Sequence, residues 1–152
     1  MSLPEGYELR EGYENVDFEV VHAMLVKAYW CKGTARDRVE KAARGSSLVM
    51  SVWHEGSLVA YARVVSDQTT FGWICDVIVH ELHRGRGLGR AMVNHALRHP
   101  DHQQFRRWVL ATKDAQGVYA ACGFELLDMP ERWMGYRPPD APERAGQTRD
   151  VV

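Results

Sequence analysis

The order of apolar and amphipathic stretches in this chain predicts an α/β (α+β) domain: a mixed, mostly antiparallel central sheet flanked by helices. Three observations carry that reading. Three strand-like runs between Ser47 and Val79 are separated only by turn residues, as in a meander. A helix-periodic stretch follows them, and a further apolar run at Trp108 comes after the helix. Between meander and helix lies a segment of alternating arginine and glycine, His83-Arg84-Gly85-Arg86-Gly87-Leu88-Gly89-Arg90. With 152 residues, 45% of them hydrophobic and 26% charged, the chain has the balance of one soluble domain. A domain of that length buries about two thirds of the surface its unfolded form exposes, enough for a core and a pocket.

Taken in order, residues 7–10 form a first short strand, and Asn15 or Asp17 caps a helix with an apolar face of Val20, Val21, Met24, Leu25 and Ala28. Gly33 interrupts the pattern. Thr34, with Asp37 three residues on, then caps a second helix through Ala43 that Gly45 closes. Residues 47–54 and 58–65 are β-rich and joined by Glu55-Gly56-Ser57, a hairpin. Residues 66–70 turn the chain into a third strand, 71–79. Leu88, Met92, Val93, Ala96 and Leu97 recur at helical spacing until Pro100 ends the helix. Residues 108–111 read as a buried strand and 114–121 as a short helix stopped by Gly123. A last pair of strands is expected from Phe124 and Met134 onward. Residues 1–138 make up the domain, and 139–152, polar and proline-containing, are expected to be a mobile tail.

The arginine-glycine segment has the composition of an anion site. Glycines let backbone approach a ligand closely, and the N–H groups that open the next helix point outward at a phosphate. A dinucleotide fingerprint requires glycine where Arg90 stands, and a Walker A loop requires Lys and Ser or Thr after its last glycine, where Arg90-Ala91 stand. What remains, Arg84-x-x-Gly87-x-Gly89 after a hydrophobic strand, resembles the pyrophosphate-binding motif of the GNAT superfamily of acetyl-CoA-dependent N-acetyltransferases. A second stretch, Tyr119-Ala120-Ala121-Cys122-Gly123-Phe124, resembles the YxxxGF element that ends the fourth helix of such domains.

The resemblance covers the chain to about Pro138. It implies a GNAT-like fold in which the strand before the loop and the strand after its helix run parallel and splay apart, forming a cleft for acetyl-CoA. Arg84, Gly85, Arg86, Gly87, Leu88, Gly89 and Arg90 would hold the pyrophosphate, and backbone groups of Val77, Ile78 and Val79 would bond the pantetheine arm as an added strand would. Many members carry Asn seven residues before the tyrosine. Here Thr112 stands there, able to donate a shorter bond, with Ala115 nearby at the start of the helix. Tyr119 occupies the position of the general acid in many members, the alternative being a core tyrosine bonded to backbone. Asp76, charged inside an apolar run, is the candidate base, the alternative being a structural partner of Arg63, with Glu81 in reserve. The acceptor pocket is expected to gather Tyr29, Trp30, Trp133 and Tyr136, which could cage a cationic amine, with Asp67, Asp128 and Glu131 adding negative charge.

These readings imply an enzyme that moves the acetyl group of acetyl-CoA to a primary amine of a small molecule or protein, or else a sensor that binds acyl-CoA without turnover. A formal net charge of -1 argues against nucleic acid as a partner. His95 and His99 have the i, i+4 spacing of a zinc pair but no intervening HExxH pattern, and Cys31, Cys75 and Cys122 lack metal spacing, so no metal is expected. No apolar run approaches membrane-spanning length, the first residues lack a signal-peptide core, and a cytoplasmic protein is expected. Members of the family often pair through C-terminal strands, so a homodimer is expected.

Overall fold

The computed structural model describes residues 2–29, 31 and 33–141. Trp30 and most of the expected tail, 142–152, lie outside the described residues. Five strands form one sheet in the order of the chain: β1 (Tyr7–Glu11), β2 (Leu48–His54), β3 (Ser57–Ser66), β4 (Phe71–Val79) and β5 (Arg107–Val109). All neighbours are antiparallel except β4 and β5, which are parallel. The helices are α1 (Phe18–Leu25), α2 (Arg36–Arg44), α3 (Leu88–Arg98) and α4 (Gln116–Ala120).

Alternation along the strands divides the core between the two faces. Val49 of β2, Leu58 and Tyr61 of β3 and Ile78 of β4 pack with Phe18, Val21, Met24, Leu25, Val39 and Ala43 of α1 and α2. Met50, Val52, Val59, Ala60, Ala62 and Val64 pack with Leu88, Met92 and Ala96 of α3 on the other face. Leu88 and Met92 are both essentially inaccessible, and burial of such side chains stabilises by about 1.5–3 kcal/mol each.

Asp17 caps α1, its carboxylate accepting from the Val20 N–H, whereas Asn15 donates from its amide to the Glu11 carbonyl. α1 ends at Leu25; a tighter turn, with Lys27 N–H bonded to Met24 and Ala28 N–H to Leu25, still holds Ala28 against the core. The expected Thr34 cap is not formed. Ala35 stands at the cap of α2, His22 of α1 lies 2.8 Å from the Thr34 carbonyl, and Asp37 accepts from the Arg38 N–H.

The C-terminal strand pair is also corrected: the described residues after Phe124 form no ladder. Pro130 supplies no N–H, Met129 takes a left-handed φ of 53°, and a 3-10 turn follows at Pro130–Arg132. Leu126, Met134 and Tyr136 are left largely exposed.

Candidate active site

β4 is irregular where the sheet opens. Arg63 of β3 lies opposite Cys75, but Tyr61 lies opposite Ile78, so β4 carries one extra residue between these pairs. Asp76 accommodates it with φ of 52°, a left-handed value uncommon for a residue other than glycine. In a regular strand Cys75 and Asp76 would point to opposite faces. The bulge turns Asp76 to the α1 face beside Arg63, and sends Val77 and Val79 to the α3 face.

On the other edge, β4 pairs with β5 for three residues only, Phe71 with Arg107, Gly72 with Trp108 and Trp73 with Val109. Beyond Trp73 the two parallel strands separate and residues 74–79 have no strand on that side. The His80 N–H bonds the Val59 carbonyl, which makes Tyr61 and Ile78 a hydrogen-bonded pair and Ala60 and Val79 a non-bonded one. By that alternation the N–H and C=O groups of Val77 and Val79 face the opening. Those of Ile78 are spent on β3.

The arginine-glycine segment follows directly. Gly85 and Gly87 take left-handed φ values of 76° and 79°, and Gly87 caps α3. The first intrahelical bond is Ala91 N–H to the Gly87 carbonyl, so the N–H groups of Leu88, Gly89 and Arg90 lead the helix. A Cβ at Gly89 would rest on Val77 and Val79 at 3.7 and 3.9 Å, so the glycine brings the start of α3 down onto β4. Arg84 curls back and donates from Nε to the Val79 carbonyl at 3.1 Å, and Arg86 stays exposed. Two left-handed glycines, outward N–H groups and arginines form a donor set that fits a pyrophosphate.

The far wall is the segment from β5 into α4. Thr112 Oγ1 accepts from the Ala115 N–H at 3.1 Å and orders the turn into the helix. α4 ends in a Schellman pattern: Gly123 N–H bonds the Ala120 carbonyl and Phe124 N–H the Tyr119 carbonyl, with Gly123 at φ of 97°. The apolar contact that accompanies such a cap is here the Tyr119 and Phe124 rings, 6.1 Å apart. The YxxxGF spacing is therefore the spacing of a helix stop. Tyr119's hydroxyl makes no hydrogen bond to another described residue, and burial, with Tyr29 nearby, pushes the phenol up to about 12. Tyr29 reaches the same wall from the end of α1, its hydroxyl accepting from the Lys113 N–H at 3.0 Å.

Asp76 sits in a polar knot on the α1 face. Arg63 Nε donates to one of its oxygens at 2.7 Å and the Cys31 thiol to the other at 3.7 Å, while Arg63 also donates to Ser46. Sequence reasoning named the Arg63 partner but missed Cys31 and Ser46, which no spacing signals. Tyr61, fully buried with its hydroxyl unpartnered, lies under the same knot.

Other expected residues lie elsewhere. Asp67 is a turn residue: its carboxylate accepts from the Thr69 and Thr70 N–H groups and from the Thr70 hydroxyl, leaving little of it for a substrate. Trp133 lies under the Arg107 guanidinium at 5.0 Å, and Asp128 is 3.8 Å from the same arginine. Together with Met129 and Arg132 they line an open hollow of about 340 Å³ at the start of β5. That end is roughly 26 Å of strand from the arginine-glycine loop. Tyr136 is 84% exposed, and Glu131 and Glu81 face solvent. His95 and His99 both turn to Glu11 of β1, at 2.5 and 3.5 Å. No described helix is long and apolar enough to cross a membrane.

The model of the Acetyltransferase (GNAT) family matches residues 11–124, three quarters of the chain. The chain belongs to the GNAT acetyltransferase family. A GNAT-family protein of Xanthomonas campestris pv. campestris is 34% identical, with a TM-score of 0.83 over 91% of this chain and 96% of its own. An uncharacterized N-acetyltransferase of Prochlorococcus marinus is 29% identical over 116 residues, 73% of this chain; the match spans 64% of that relative's length. A predicted acetyltransferase of Clostridium acetobutylicum, solved with acetyl-CoA, shares the GNAT fold at 12% identity, with a TM-score of 0.63 over 86% of this chain and 96% of its own. The parting of β4 from β5 is thus the cleft of a GNAT domain.

Proposed function

We propose that this GNAT protein transfers the acetyl group of acetyl-CoA to a primary amine of a small molecule or protein, directly, with both substrates bound. The observation that carries the reading is the parting of β4 from β5 after three residue pairs, with the arginine-glycine loop at its open end and Tyr119 on its far wall. Acetyl-CoA supplies a thioester-activated acyl group. The chain's own residues do the rest. Residues 84–90 hold the pyrophosphate through the leading N–H groups of α3 and the Arg84 and Arg86 side chains, and the outward N–H and C=O of Val77 hold the pantetheine amides, the Val79 carbonyl being taken by Arg84 Nε. The Thr112 hydroxyl hydrogen and the Ala115 turn add to the same wall.

The Val79 N–H is available to polarise the acyl carbonyl. Asp76, oriented by Arg63 and Cys31, accepts the proton of the incoming amine. Tyr119, whose phenol is pushed up to about 12, remains protonated at neutral pH and donates to the departing thiolate. Tyr29 closes the acceptor side of the cleft, and Trp30 adjoins it in sequence.

Two measurements test this. Acetyl-CoA at saturation should raise the unfolding temperature, and no shift rejects the cofactor reading. Thiol release from acetyl-CoA across a panel of amines should find an acceptor. An acyl-CoA sensor would give the thermal shift and no acceptor.

A further inference from the structure

Beside the phosphate loop, on the sheet face that carries α3, four rings meet that acetyl transfer does not use. Tyr7 of β1 stacks on His54 at the end of β2, ring centroids 4.3 Å apart, and its hydroxyl lies 2.8 Å from His83 Nδ1. The His83 ring meets His54 at 5.2 Å and His80 at 5.9 Å, both edge-on. Arg86 of the loop also acts on His83, and Glu55, in the β2–β3 turn, is the acidic group that opposes them. Burial first, and then His54, Arg86 and His80, hold the His83 imidazole below its ordinary value. Tyr7 tolerates either state of the ring, since its hydroxyl can donate to a neutral Nδ1 or accept from an imidazolium.

We propose that His83 couples anion binding at the arginine-glycine loop to the uptake of one proton, so that acyl-CoA is held more tightly as the pH falls below neutral. The proposal rests on the acyl-CoA reading above. A pyrophosphate at residues 84–90 places negative charge beside Arg86 and offsets the repulsion that this arginine adds to the burial and the neighbouring His54 already acting on His83. The free protein binds the proton only below the ordinary histidine value of 6.5, whereas the complex binds it at higher pH. Affinity therefore rises as pH falls through the bound value and levels off below the free one. A difference of one pH unit between the two corresponds to a tenfold change in Kd.

The experiment is acetyl-CoA binding by calorimetry from about pH 8 to about pH 5.5, for the wild type and His83→Asn. Asparagine keeps an acceptor for the Tyr7 hydroxyl and does not titrate. The Kd of the variant relative to the wild type should rise about tenfold across that range. Titration of the ligand's own phosphate cancels in the ratio. A flat ratio overturns the coupling and leaves the acyl-CoA reading standing, whereas no binding by either protein at any pH overturns both. Should the variant fail to fold, wild-type calorimetry with dephospho-CoA, whose pyrophosphate stays ionised throughout, decides alone. Run in two buffers of different ionisation enthalpy near pH 6.5, it should report proton uptake, and none rejects the proposal.

Discussion

Replacing Gly72 by alanine tests the hinge on which the cleft depends. Gly72 is the middle of the three β4 residues paired with β5, opposite Trp108. A Cβ there would stand 2.6 Å from Trp108 Cε3, 2.7 Å from Cζ3 and 3.0 Å from Phe105 Cε2. The indole would have to withdraw by roughly 0.8 Å to reach ordinary contact. It has little room, because it is packed 5.1 Å from both Phe105 and His102, and the buried His102 is bonded to the Ala96 carbonyl of α3. Overpacking of this kind costs about 1–3 kcal/mol. An alanine that merely replaced a strand glycine would instead stabilise by about 0.5–1 kcal/mol. The net expectation is a loss of about 1–2 kcal/mol and a fall in Tm of roughly 2–8 °C for a chain of this length. Thermal unfolding followed by circular dichroism reads it. Adding Trp108→Leu should return part of the loss, a favourable coupling of at least about 0.5 kcal/mol. A Tm at or above that of the wild type would refute the packing argument, since the sign separates the two effects.

Tyr119→Phe should lower kcat by about 10²–10⁴ with the Kd for acetyl-CoA changed less than about twofold, and since the phenol titrates at about 12 the wild type should lose no rate to its ionisation below about pH 11; unchanged turnover removes it as the acid. Arg63→Met leaves Asp76 without its ion-pair partner at a site where both side chains are under one fifth exposed, and should cost about 3–5 kcal/mol by denaturant unfolding. In Arg63→Met/Asp76→Asn the loss should be less than the sum of the single losses, and strict additivity would count against the pair. The Asp67 carboxylate is held well below its ordinary 3.8 by the Thr70 hydroxyl and backbone N–H groups, so its contribution is present above that value and fades as pH falls further. The Tm difference between wild type and Asp67→Ala should accordingly be constant from about pH 5 upward and shrink toward pH 2; a difference that grew on acidification would contradict the assignment.

Much of this was legible from local pattern. The meander announced itself through turn residues between β-rich runs, and the arginine-glycine loop through glycines at the two positions where its backbone is left-handed. The Tyr119 to Phe124 spacing encodes a helix stop that two backbone hydrogen bonds explain, and that is why so short a stretch is informative. Asp67 misled because a carboxylate that serves a turn and one that serves a substrate look alike until its hydrogen bonds are placed.

The sequence by itself determined the meander, the helices as far as Ala120 and the left-handed glycines of the arginine-glycine loop, because periodicity and glycine conformations act over a few residues. Tertiary structure alone decided the rest. The extra residue in β4 turns Asp76 to the face of Arg63 and Cys31, and sets Val77 and Val79, not Ile78, toward the opening. Long-range packing likewise places Trp133 beside Arg107 at the start of β5 and gathers Tyr7, His54 and His83 from three distant segments. Register and strand divergence depend on contacts between residues far apart in the chain, and a one-residue slip exchanges the two faces of a strand.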